Sequence, residues 1–411
     1  MKLSRTASEL YEAISELTII DAHEHLPAEA EYLAMGYSGL SLFATYFRLD
    51  LLSAGLDSAF FERIRTDTAM PVDEWWPRIK PFYEASKHTS YARGLRITAR
   101  DVFGIDDTND STIHELSARV KADNKPGVYR RTLQERCRIR YSLTCVDRAS
   151  FPDDPGLVGI PFMRYQGDTG EYVPFLERRT GRRIRSLEDA VEAAQSLMRA
   201  DITAGAAGFK MTVIDIREPD AARAAQELKE DLKPGRKPGV LPALRDYLYD
   251  KCCDVVAEVD VPVAVHTGYW GDFRQLDPKF MLSFAPRRPD VRFDMFHLGT
   301  PMLREAALIG KNLRNVTLNL CWLPLLSQVQ LDRMLDEIID LVPVNKVIAF
   351  GGDYLTAVQK VWGNLVMARE CIASALARRV DAGDFDKAEA LRIARLWLHD
   401  NPTRIYRLPA R

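Results

Sequence analysis

The 411-residue chain has no apolar stretch approaching the roughly 20 residues that a membrane-spanning helix requires. Charge of one sign is lacking too: the net charge is −2 and the pI is near 6.4, so nothing points to nucleic acid or an anionic membrane surface. Six cysteines are present without a C-x-x-C spacing, which argues against a disulfide framework and for buried thiols in a reducing cytoplasm. The segment Met1–Ile14 reads as a short amphipathic helix and lacks the apolar core of a signal peptide. No internal repeat or low-complexity segment occurs. Apolar residues make up 46% and charged residues 28%, a globular balance, and the length suits one large core with an insertion or two domains.

What the chain does have is a series of short apolar, β-branched runs. They cover 17–26, 139–146, 157–165, 206–214, 261–269, 291–299, 316–324 and 346–354. Near-continuous apolarity marks strands covered on both faces, as in a parallel sheet. From the third run onward, stretches of helical period separate them, for example 186–204, 242–259, 302–312 and 328–341. Alternation carried to eight strands predicts an α/β fold, a (β/α)8 TIM barrel. Residues 1–26 and 137–411 form the barrel in this reading. Residues 27–136 show no strand pattern and predict a helical cap inserted between the first two strands, bearing Tyr46, Phe47, Trp75, Trp76, Phe82, Tyr83 and Tyr91. Helical spacing favours packing as the role of each aromatic. The helices expected there are 41–53, 73–86, 90–103 and 113–122, with two more, 362–380 and 384–399, closing the outer ring.

Barrel enzymes carry their chemistry at the C-terminal ends of the strands. His23 and His25 end the first run, and residues i and i+2 of a strand share a face, about 6–7 Å apart. Lys210, His266, His297 and Asp353 end later runs. Neutral imidazoles plus a carboxylate are the donor set of a catalytic divalent ion. Lys210 has three readings: a partner for Asp353, an anchor for an anionic substrate, or a lysine carboxylated by CO2 that bridges two ions. His297 is a ligand or a group polarising the substrate. Asp353 suits general acid–base work. Arg164 ends the third strand and suits a bidentate grip on a carboxylate, with a structural ion pair as its rival. Asp147, Trp322, Trp270 and Tyr354 are expected to line the pocket, whereas His88, His114 and His399 read as surface histidines.

Asp21-Ala-His-Glu-His25, Gly208-Phe-Lys210, Val265-His-Thr-Gly268, Phe296-His-Leu-Gly299 and Phe350-Gly-Gly-Asp353 resemble the strand-end motifs of the amidohydrolase superfamily. The closest resemblance is to its amidohydrolase-related branch, whose tail pattern is similar to Leu396-Trp-Leu-His-Asp-Asn-Pro-Thr-Arg-Ile-Tyr406. The stretch 91–105 and the strand end Thr144-Cys-Val-Asp147 look like the cap region of uronate isomerases, which interconvert aldehyde and ketone sugar acids. Lys210 departs from that family and resembles the bridging lysine of phosphotriesterase-like members. The resemblance implies His23, His25, His266 and Asp353 as core ligands, with His297 and Lys210 added if a second ion binds. It implies one or two divalent ions, Zn2+ foremost, and Asp353 as the base acting on water. The expectation is therefore a cytoplasmic metal-dependent hydrolase of a small carboxylate-bearing molecule, a lactone, an amide or a sugar-acid derivative, with a sugar-acid aldose–ketose isomerase as the alternative. Homo-oligomerisation is the default for such a barrel.

Overall fold

A computed structural model describes residues 1–165, 171–212, 214–233, 235–237, 239–354 and 356–409. Eight strands follow the eight apolar runs: β1 (Ile19–Glu24), β2 (Ile139–Thr144), β3 (Leu157–Gly159), β4 (Phe209–Met211), β5 (Pro262–His266), β6 (Arg292–Phe296), β7 (Val316–Asn319) and β8 (Val347–Ile348). Every pairing is parallel, in the order β1-β2-β3 and β4-β5-β6-β7-β8. Two seams join these arcs into a ring. Beyond β3, Lys210 N donates to Pro161 O at 2.8 Å and Met163 N donates to Lys210 O at 3.0 Å. Between β8 and β1, Ala22 N donates to Phe350 O at 3.2 Å and Asp353 N donates to His23 O at 2.8 Å. The result is the (β/α)8 barrel.

Alternation of side chains across each strand sends one set inward. Ile20, Ala22, Leu143, Cys145, Ile160, Ala264, Phe296, Cys321 and Ile348 fill the barrel, and Ile405, Tyr406 and Leu408 from the C-terminal tail plug its foot. Burying each of the larger aliphatic groups contributes roughly 1.5–3 kcal/mol. The tail is tied down by Asn401, whose side-chain amide donates to Val344 O and Val347 O at 2.8 Å each.

Outer helices match their sequence signals. Leu187–Thr203 starts at Ser186 in a capping box with Asp189, and Pro242–Val259 starts on proline, whose missing N–H costs nothing there. Seven α-helices, among them Gly39–Phe43, Arg48–Ser53, Val72–Ser86 and Ser90–Phe103, and the π-helix Arg130–Arg136 lie between β1 and β2. The single helix expected over 41–53 is instead two, broken at 44–47, and that break carries Tyr46 inward. Phe43, Trp75, Trp76 and Tyr83 form a buried aromatic knot with centroids 5.4–6.0 Å apart, so these rings do pack. No helix among the described residues is long and apolar enough to cross a membrane. All six cysteines are free and buried.

Candidate active site

The C-terminal strand ends converge on a cavity of about 230 Å3, lined by His23, His25, Tyr46, Phe162, Lys210, Thr212, His266, Trp270, Leu276, Trp322 and Asp353. Asp353 is the hub. Its Oδ1 lies 3.3 Å from His23 Nε2 and 3.1 Å from His25 Nε2, and it accepts a hydrogen bond from Tyr46 Oη at 3.0 Å. His25 Nδ1 is 3.1 Å from the carbonyl of Cys145, an acceptor only, so Nδ1 is assigned the proton and Nε2 a lone pair. Burial works against an ionised Asp353, but the surrounding histidines, His23 and His25 foremost, hold its carboxyl well below the usual range. Burial pushes His23 and His266 well below the usual imidazole range.

A dense back wall fixes Asp353. Asp21 Oδ1 accepts from Gly352 N at 2.9 Å and Glu24 Oε2 accepts from Tyr354 N at 2.8 Å, tying β1 to the chain beyond β8. Burial raises both carboxyls, and for Glu24 the Asp21 charge adds to it. A Cβ on Gly351 would sit 2.5 Å from Cys321 Cβ, and one on Gly352 would land on the Glu24 carboxylate and 2.6 Å from Val361 Cγ2. Only glycine lets this turn lie so close to β1. His297, Trp322 and Asp353 are themselves non-glycine residues in left-handed backbone, at φ 62°, 68° and 54°. Such conformations cost on the order of 1–3 kcal/mol each and cluster at functional sites.

Most residues singled out in the sequence meet here, and several do not behave as expected. Lys210 is buried with Nζ 3.8 Å over the Phe296 ring and has no hydrogen-bond partner among the described residues, so it does not pair directly with Asp353. His297 lies behind the cavity wall, with Nε2 3.2 Å from His266 Nδ1. Arg164 does not reach the mouth: its guanidinium is buried against Asp147 and Asp201, so the structural ion pair is the correct reading. Asp201 lies on the outer helix Leu187–Thr203, and its acidity could not be matched to Arg164 from sequence. Asp147 is spent on Arg164 and does not line the cavity. Tyr354 is buried outside the cavity, its backbone N–H bonded to Glu24 and its ring under the Lys360 ammonium at 5.3 Å. Trp322 and Trp270 do line the cavity, the latter 41% exposed at its rim. Of the surface histidines, His88 and His114 are exposed and His399 is half-buried beside Asp400.

Sequence reading missed Tyr46 as a site group because it gave the inserted aromatics a packing role. Phe162, Thr212 and Leu276 were missed as well, for want of any polar or ligating signature or of a tell-tale spacing.

Residues 143–408 match the family model described as Amidohydrolase. The chain belongs to the amidohydrolase family. No curated protein matches it. Among solved structures, glucuronate isomerase from Caulobacter crescentus is similar over 99% of this chain and 94% of its own, with 16% identity and a TM-score of 0.80. Uronate isomerase from Thermotoga maritima matches over 98% of each chain, with 13% identity and a TM-score of 0.75. A candidate metal-dependent hydrolase from Lactobacillus casei matches over 98% of this chain and 99% of its own, at 16% identity and a TM-score of 0.68. At such identities these likenesses speak for the fold, inserted helices included.

The donor set of this amidohydrolase fits a divalent cation. His23, His297 and Asp353 place ligand atoms within 4.8 Å of one another. His297 Nε2, however, is already turned to His266. The tighter convergence is His23 Nε2, His25 Nε2 and Asp353 Oδ1, with the two imidazole nitrogens 3.3 and 3.1 Å from the one carboxylate oxygen. Bonds of about 2.0–2.2 Å to one ion at near-tetrahedral or octahedral angles give donor spacings of about 3.0–3.5 Å. His266 lines the same cavity, and its Nε2 is buried with no partner among the described residues.

The Tyr46 phenol is held well above its usual range by burial and then by the Asp353 charge, so it stays protonated and donates. Tyr46→Phe is expected to lower kcat about 10-fold or more through loss of the bond that orients Asp353. Kinetics of the purified variant on any substrate found for the wild type would check this, and an unchanged kcat would remove Tyr46 from the machinery.

Proposed function

We propose that the amidohydrolase is a metal-dependent hydrolase of a small carboxylate-bearing molecule, of the lactone, amide or sugar-acid class. One observation carries this reading: three ligand-type atoms, His23 Nε2, His25 Nε2 and Asp353 Oδ1, converge in a cavity that also holds the Lys210 nitrogen, unpartnered among the described residues. His23, His25, His266 and Asp353 would hold the ion, and their imidazole and carboxylate chemistry favours Zn2+. Such an ion supplies Lewis acidity and lowers the pKa of water towards about 7.

The chain's own groups supply the rest. Asp353 takes up the proton released by the attacking water at its Oδ atoms and returns it to the leaving group. Lys210, buried and without a hydrogen-bond partner among the described residues, draws the substrate carboxylate inward, the role first assigned to Arg164. Trp322, Phe162 and Leu276 keep bulk water out, and Trp270 forms the rim. A cavity of about 230 Å3 suits a molecule the size of a six-carbon sugar acid or smaller.

A second reading, a sugar-acid aldose–ketose isomerase, draws support from Tyr46. A protonated phenol 3.0 Å from a carboxylate offers an acid and a base side by side, as a proton transfer between adjacent carbons requires. The named isomerases among the structural relatives favour it as well. Lactones and amides of small carboxylic acids assayed beside hexuronates separate the two, because hydrolysis consumes water and isomerisation conserves the formula. Turnover of the hexuronates alone would overturn the hydrolase reading.

Metal content per chain, measured by plasma mass spectrometry on wild type and Lys210→Ala, bears on both. Two ions falling to one or none in the variant would mean a carboxylated, bridging Lys210. One ion in both would leave Lys210 as substrate anchor. No ion retained by chelator-free wild type, or regained on adding Zn2+, would sink the metal reading.

A further inference from the structure

A chain of hydrogen bonds runs from the foot of the barrel to the cavity. Tyr406 Oη donates to Asp294 Oδ2 at 2.6 Å, and Asn319 Nδ2 donates to the same oxygen at 2.9 Å. Asn319 Oδ1 is thereby turned to Cys321, whose N–H donates to it at 3.0 Å. Cys321 then presents its carbonyl 3.3 Å from His297 Nδ1. At the top, His297 Nε2 lies 3.2 Å from His266 Nδ1. Asp294, Asn319, Cys321 and His297 are all fully buried, so water does not interrupt the sequence of contacts.

The direction of each bond follows from what each atom can do. Asp294 takes two donors on one oxygen, which fixes the Asn319 amide with its N–H2 downward. A carbonyl only accepts, so the Cys321 carbonyl demands N–H at His297 Nδ1. Asp353 Oδ2, 3.9 Å from the same nitrogen, favours a proton there too. The Cys321 sulfur, 3.3 Å from Nδ1, is too weak a donor to reverse this against a carbonyl and a carboxylate. With Nδ1 protonated, neutral His297 has a bare Nε2. His266 must then donate from Nδ1, and its own Nε2 is left as a lone pair. That atom, on a residue that lines the cavity, has no partner among the described residues.

We infer that Tyr406, Asp294 and Asn319 are positioning residues that hold the Cys321 backbone where its carbonyl sets His297, and through it His266, in the tautomer that offers His266 Nε2 to the cavity. The proposal builds on the reading of His266 as a metal-holding group. It makes His297 the support of a ligand rather than a ligand. It also gives the C-terminal tail a task at the opposite end of the barrel from its own packing.

Ring 15N chemical shifts of the metal-free protein read the tautomers directly, without substrate or ion. His266 and His297, identified by single His→Gln variants, are both expected to be Nδ1–H in the wild type. In Asn319→Leu, which keeps the volume and removes the amide, both are expected to give averaged shifts of mixed tautomers. Tyr406→Phe, which touches only the foot, should move them in the same sense by a smaller amount and guards against a folding failure at Asn319. Zn2+ affinity is expected to fall about 10- to 100-fold in Asn319→Leu, the usual cost of losing an outer partner of a ligating histidine. Nε2–H on His297 in the wild type, or unchanged shifts in two folded variants, overturns the inference. Nδ1–H tautomers in a protein that binds no metal would leave the relay standing and sink the functional reading instead.

Discussion

Asp353→Asn is expected to lower kcat/KM by at least about 1,000-fold while the protein stays folded. The carboxylate carries two duties that an amide cannot share. It is the group on which His23, His25 and Tyr46 converge, at 3.0–3.3 Å, and it is the base of the proposed reaction. An amide nitrogen turned to the histidines would cancel one lone pair and hold no proton. Loss of a positioned acid–base group alone costs about 100- to 10,000-fold. The fold should survive because Asn conserves shape and removes a buried charge rather than a packed side chain. His23→Ala should fall as far in activity. Steady-state kinetics beside a circular-dichroism melt are decisive, and near-wild-type turnover in either variant would end the mechanism.

Gly352→Ala is the second large effect, this time on stability and activity together. The added methyl would land on the Glu24 carboxylate and 2.6 Å from Val361 Cγ2, and all three residues are buried. Overpacking of this kind costs typically 1–3 kcal/mol. Relief has to come from the 351–354 turn, since Glu24 is anchored in β1, and that turn carries Asp353. The expected result is a loss of about 2–3 kcal/mol in denaturant unfolding and a drop in kcat of roughly 10-fold or more. Gly352→Ala combined with Glu24→Ala should cost less than the sum of the single changes, because the second opens the space that the first needs. Full activity and an unchanged midpoint in Gly352→Ala would show that Glu24 swings away freely.

Much of this was legible in the chain because barrels write themselves locally. Each β-branched run is its own strand, and strand ends announce the residues at the mouth, so His23, His25, Lys210, His266 and Asp353 could be gathered without coordinates. What stayed hidden depends on partners distant in sequence. Arg164 ends a strand as a substrate-binding arginine would, and only the fold brings Asp147 and Asp201 against it. Tyr46 looked like one packing aromatic among seven, yet a helix break aims it at Asp353. His297 carries a ligand's signature and lies within ligand distance of His23 and Asp353, but its contacts with the Cys321 carbonyl and His266 are invisible in the sequence.

The contact from Gly352 N to Asp21 links positions 331 residues apart, and it lies on the β8–β1 seam. Closing a loop of that length has an entropic cost, so the seam is among the last contacts a folding chain can make. No fragment ending before β8 holds both His23 and Asp353. An ion seated between them is thus a staple across the final joint, bound by the closed ring alone. At a concentration 1,000 times its Kd it would add about 4 kcal/mol to that closed form. Chains that fold where metal is scarce would spend longer with the joint open, presenting β1 and β8 as bare strand edges. Such edges pair readily with those of another copy. Metal supply during folding would then govern how much of the protein is recovered as single, closed barrels.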